Sequence, residues 1–219
     1  PGDLDPLRPG EAAELMDFAA REVPGVARLL ERIAARDPAL HEARLAELAP
    51  RLRQLRRVFE RDAEMGRAIV QHMATMRQVR DAQQAWHRSE LPEPRRAAVR
   101  QELRERLAQS LRIEAVILER HVALLDADRP ARIEATLERL TRDDAVRPAV
   151  PPELRELLTQ WRAAPDDAAR AAAREALRQR VAERVDRETE ALRVRLAELR
   201  STPELEVDRP VSCVFMRPG

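Results

Sequence analysis

The chain has 219 residues, 36% of them charged, and its 40 basic side chains, all arginine, are nearly cancelled by 39 acidic ones. That balance argues against a nucleic-acid binder, which gathers basic charge on one side, and no run of about 20 apolar residues is present to cross a membrane. With five glycines, three phenylalanines and two tryptophans, the composition suits a thin seam between long helices rather than a thick interior or a phosphate-cradling loop.

Opposite charges alternate within a few residues, as in Glu102-Leu103-Arg104-Glu105-Arg106, which is the pattern of a solvated helix face. The sole cysteine, Cys213, excludes an internal disulfide. Pro1-Gly2 carries no initiating methionine, which is compatible with removal of an export or anchoring segment.

Residues 1–10 hold three prolines and two glycines and read as an extended lead-in. A short helix is predicted over Glu11–Glu22, with Leu15 and Phe18 on its apolar stripe. A second follows over Gly25–Ala35, burying Val26, Leu29, Leu30 and Ile33 and opened by Pro24. Asp37-Pro38 has the form of an N-cap followed by the first helical residue. From there a long helical arm is expected, with a kink or short break near Leu48 imposed by Pro50.

The arm carries a stripe through Leu52, Leu55, Val58 or Phe59, Met65, Ile69, His72 or Met73, Met76, Val79 and Trp86, and ends at Ser89-Glu90-Leu91-Pro92-Glu93-Pro94. Proline lacks the N–H a helix needs and restrains the residue before it, so the chain turns there. A return arm follows antiparallel, carrying Val99, Leu103, Leu107, Leu111, Ile113, Ile117, Val122 and Leu125. Each arm of about 50 residues spans on the order of 75 Å if straight. Pro130 is expected to kink or split the return arm.

Arg147-Pro148-Ala149-Val150-Pro151-Pro152 is the clearest linker. A short helix over Glu153–Trp161, a turn at Ala164-Pro165-Asp166-Asp167 and a last long helix to about Arg200 complete the helical part. The remaining tail is punctuated by proline, with Val211–Met216 its only β-favouring run. Aligning Arg96–Leu125 with Arg170–Leu199 (170 − 96 = 74) gives 12 identities in 30 positions. That is compatible with a duplicated helical unit and equally with two helices sharing one alphabet. A tryptophan, Trp86 or Trp161, precedes each copy.

The chemistry-bearing motifs are sparse. There is no glycine-rich phosphate loop, no Gly-x-Ser-x-Gly elbow, no His-Glu-x-x-His and no Glu-x-x-His, so no catalytic residue, enzymatic activity or cofactor is expected. His72 and Met76 share a helix face, and His121 lies about five residues from the point opposite position 72. Imidazole and thioether together suit a soft metal such as Cu(I), yet methionine at helical spacing usually fills a core. The three are held as metal candidates only, with no metal site assigned. Trp86 and Trp161 stand near predicted turns, where each either caps a helix pair or anchors a partner. The tail residues Val211, Cys213, Val214, Phe215 and Met216 must be covered by the chain's own helices or by another protein.

At Glu14-Leu-Met-Asp-Phe18, Arg36-Asp-Pro-Ala-Leu40, Leu45–Leu55 and Leu103–Leu125 the chain resembles uncharacterised exported Arg/Glu/Leu-rich helical proteins of Gram-negative bacteria. More loosely, it is similar to the periplasmic helical hairpins of the Spy/CpxP and metal-sensor type. The Leu-Thr-x-x-Gln motif of that group is absent; Leu158-Thr-Gln-Trp161 does not match it. The resemblance covers about residues 11–144 and implies a periplasmic or cell-envelope, non-enzymatic helical protein. A cytoplasmic location is the alternative.

These readings combine into an all-α protein: an elongated, coiled-coil-like antiparallel hairpin with short N-terminal helices, a long C-terminal helix and an extended tail. The expected segments are 1–38 (lead-in and short helices), 39–146 (hairpin), 153–202 (C-terminal helices) and 203–219 (tail). The expected role is an accessory or structural subunit bound to a larger protein complex, or to itself, through helical surfaces and the tail, including peripheral association with a membrane complex. The alternative is a stress or metal sensor or chaperone of the Spy/CpxP kind.

Overall fold

The computed structural model describes residues 7–87, 92–142 and 150–201, and all eight regular elements among them are α-helices. They are α1 (Glu11–Glu22), α2 (Pro24–Ala34), α3 (Pro38–Arg61), α4 (Ala63–His87), α5 (Glu93–Ala127), α6 (Arg129–Arg142), α7 (Pro152–Ala163) and α8 (Asp167–Ser201). Two compact units divide the chain between Ile117 and Leu118, inside α5. No described helix is long and apolar enough to cross a membrane.

Aspartates set several of the helix starts. Asp37 Oδ1 accepts from Leu40 N–H, Asp62 Oδ1 from Glu64 and Met65 N–H, and Asp166 Oδ1 from Ala169 N–H. Each satisfies backbone donors that the first helical turn leaves without a partner. α1 opens at Gly10, whose φ of 81° lies in the left-handed region that glycine enters without a Cβ penalty.

In the first unit, α1, α2 and α3 enclose a core of Leu15, Phe18, Ala19, Val23, Ala27, Leu30, Leu45, Ala49 and Leu52. Glu11 pairs with Arg53 and Glu14 with Arg56, both 42 residues apart. A constant offset means that α1 and α3 run in the same direction, with α2 returning between them. Leu29, expected on the buried face of α2, is 45% exposed instead: Ala27 and Leu30 set the inward face, and Leu29 points away from it. The edge of one ring meets the face of the other between Phe18 and Phe59, with centroids 5.6 Å apart. The composition suggested only a seam, yet here alanine helps close a compact core because small side chains let the three helices approach.

The expected break at Pro50 does not occur. α3 is continuous through it, because Pro50 is exposed while Leu45, Ala49 and Leu52 are buried around it. Core packing holds the turn despite the lost hydrogen bond. The break comes at Asp62, whose extended backbone (φ −152°, ψ 99°) ends α3 while its side chain starts α4.

α4 and the first part of α5 form the antiparallel pair expected from the proline-bounded turn. Val79, Ala82 and Leu103 are buried together, with Met76 and Leu107 against them. Contact partners move in opposite directions along the two helices: Met76 with Ser110, then Trp86 with Arg100. Apart from Gly66, which lies against Phe59, the buried positions of α4 are Met65, Ala68, Thr75, Val79 and Ala82, spaced by three, seven, four and three as on a two-helix seam.

In the second unit, α6, α7 and α8 surround Ile133, Leu137, Leu154, Leu158, Leu177, Val181 and Val185. The split expected at Pro130 falls between Ala127 and Arg129, and α8 lies along both sides of it. Arg200 and Arg193 pair with Glu119 and Asp126 before the break. Asp186, Glu188 and Arg178 pair with Arg129, Arg132 and Glu134 after it. α5 and α8 are both 35 residues long, and both ends match the sequence offset (167 − 93 = 74; 201 − 127 = 74). Equivalent positions Leu103 and Leu177, and Val122 and Leu196, are buried in both.

Candidate functional site

Two places combine several of the side chains singled out above. The first lies on the α4–α5 seam. Ser110 is buried at 4% exposure, and its hydroxyl lies 3.4 Å from His72 Nδ1 and 3.2 Å from Met76 Sδ. The register of the pair explains the cluster: His72 and Met76 are one turn apart on α4, and Ser110 projects between them from α5. The observed partner of position 72 is close to the expected 112–114. Ser110 was not singled out from the sequence; its signal is a hydroxyl on the face that carries Leu103 and Leu107.

The third metal candidate, His121, belongs to the second unit, where it is exposed. Among the described residues no group of three or more His, Cys, Asp or Glu side chains converges as a metal cage would require. The cluster on the seam is therefore an imidazole, a thioether and a hydroxyl, with only the first two being strong ligands for a soft cation.

The two tryptophans differ. Trp86, half-buried in the last turn of α4, carries the Arg100 guanidinium over its ring at 5.2 Å from the centroid. This cation–π contact ties the end of α4 to α5 and uses one face of the indole inside the molecule.

Trp161, half-buried in the last turn of α7, instead lines a groove of about 810 Å³ in the second unit. α6 contributes Glu134, Leu137, Glu138, Thr141 and Arg142, and α8 contributes Asp167, Arg170, Ala171, Arg174, Glu175 and Arg178. Leu137 is 2% exposed and belongs to the core beneath.

Charges on the groove balance, four arginines against four acids. Three pairs are satisfied locally: Arg178 with Glu134 at 2.8 Å, Arg142 with Glu138 at 2.6 Å, and Arg170 with Asp167 at 3.5 Å. The members of these pairs are half-exposed or more, so each pair contributes little to stability and is readily exchanged. Arg174 and Glu175, adjacent on α8 and both exposed, have no charged partner among the described residues.

The strongest electrostatic perturbation lies away from both places. Glu11 is held down to about 2, chiefly by its hydrogen bonds from Arg53 and then by the Arg8 backbone N–H. Asp186 is lowered by Arg129 in the same manner. Both are ion pairs between helices; the Arg129–Asp186 pair lies on an open cleft of about 390 Å³ whose neighbouring charges Asp126, Glu190 and Arg193 are themselves paired.

Val211, Cys213, Val214, Phe215 and Met216 lie outside the described residues. Compared with known proteins, the chain matches no protein family, no curated protein and no solved structure.

Proposed function

We propose that this chain is a non-enzymatic interaction subunit that joins a protein assembly through the α6–α8 groove of its second unit. The observation that carries this reading is Trp161, a half-buried indole on an open groove of about 810 Å³. Tryptophan and arginine are enriched at the energetic centres of protein interfaces, and the groove offers both. Its half-exposed ion pairs suit a rim that exchanges partners on docking. The equal number of opposite charges disfavours a polyanion. The resemblance noted above supports a cell-envelope location, including peripheral attachment to a membrane complex, with the tail from Val211 to Met216 as a second contact.

The test is gentle purification of the native protein beside a Trp161→Ala variant shown by circular dichroism to be folded. The reading expects a stoichiometric protein partner that the variant loses. Equal recovery of that partner by both proteins would contradict it.

A second reading, a metal sensor or hairpin chaperone, is favoured by the His72–Ser110–Met76 cluster. It expects Cu(I) to bind the purified protein at one equivalent and His72→Ala to abolish binding. No binding by the unaltered chain would remove the metal-sensing form of it.

A further inference from the structure

The groove has a surface pattern that fits one occupant well. A polyanion or polycation would meet as many like charges as unlike ones, since four arginines face four acids. A small molecule would need a few buried polar groups to fix its orientation, whereas the side chains of the three ion pairs are half-exposed or more. The matching partner carries balanced charge of its own.

This chain has that property, with 40 basic and 39 acidic residues. Its groove also has the symmetry that a two-fold contact demands, in which the same patch on both copies must be self-complementary. Arg174 and Glu175 are neighbours on α8 and neither has a charged partner among the described residues. When two copies of α8 cross antiparallel about an axis near these residues, Arg174 of each copy faces Glu175 of the other. Two ion pairs would then form from four charges that have no charged partner among the described residues. Trp161 lines the same groove and would supply the apolar contact.

We propose that a second copy of this chain occupies the groove, making the protein a two-fold dimer through α8 with Trp161, Arg174 and Glu175 at its centre. The proposal rests on reading the groove as a protein-binding surface and names its occupant.

The test uses the full chain in analytical ultracentrifugation at low and moderate salt. The unaltered protein should dimerise. Arg174→Glu and Glu175→Arg should each weaken the dimer by about tenfold or more, since symmetry makes every reversal act at two contacts. An equimolar mixture of these two variants should restore it, because all cross-pairs are then attractive. Both positions are exposed, so the variants keep the fold, which circular dichroism checks. A monomer at every concentration would overturn the proposal, as would a dimer indifferent to both reversals. In either case, loss of a different co-purifying protein on Trp161→Ala would leave the broader protein-binding reading standing, and retention of that protein would remove both.

Discussion

Arg53 holds both carboxylate oxygens of Glu11, with Nε 2.6 Å from Oε1 and Nη2 2.9 Å from Oε2. This two-pronged contact joins α1 to α3 and, with the Arg8 N–H, lowers the carboxyl from its ordinary 4.5 to about 2. The folded value lies below the unfolded one, so the stabilisation is complete above about pH 4.5 and is lost as pH falls toward 2. Urea unfolding across that range should show a steep acid limb for the unaltered protein and a shallower one for Glu11→Gln. Equal slopes would mean that the pair contributes nothing to folding.

Gly66 sits where a methyl group would overlap the Phe59 ring. Alanine is favoured over glycine in a helix by up to about 1 kcal/mol, but overpacking at a fixed ring costs about 1–3 kcal/mol. Phe59 also packs edge-to-face against Phe18, which restrains its ring, so the clash wins. Gly66→Ala should destabilise the protein in thermal unfolding, and adding Phe59→Ala should turn the same glycine replacement into a stabilising one.

Pro50 offers the opposite sign. It is exposed within a continuous helix, and proline there costs about 3 kcal/mol relative to alanine, partly offset by the restricted unfolded chain. Pro50→Ala should raise stability by about 1–3 kcal/mol in denaturant titration. A loss would show that the proline ring makes packing contacts worth more than the missing hydrogen bond.

In the second unit, apolar burial outweighs the cross-helix ion pairs. Leu177 is fully buried among α6, α7 and α8, and Leu177→Ala should cost about 2–5 kcal/mol. Arg129 and Asp186 are 44% and 52% exposed, so Arg129→Met should cost under about 1 kcal/mol and less still in high salt. Equal losses for the two variants would reverse this ranking.

Much of the helical layout is legible locally. Glu11–Glu22 is delimited by Pro9-Gly10 and Val23-Pro24, Asp37-Pro38 caps and opens α3 as expected, and Asp166 caps α8. The hairpin register follows from the position of the prolines at 92 and 94, which brings His72 and Met76 to Ser110. The break at Asp62 escaped because proline is the louder signal: Pro50 lost to core packing, and Asp62 acts through a side-chain cap that any aspartate can offer. The groove escaped for another reason. Trp161 joins Leu137 and Arg174 only through the tertiary arrangement of α6, α7 and α8, and no periodicity within one helix records that.

The central claim, that the Trp161 groove binds protein, is tested most directly by placing a photo-crosslinking residue at position 161 in cells. A control places the same residue at exposed position 104. Irradiation should produce a defined protein adduct at 161, with the attachment point on the partner identified by mass spectrometry, and none at 104. Absence of an adduct at 161, or the same diffuse adducts from both positions, would contradict the account.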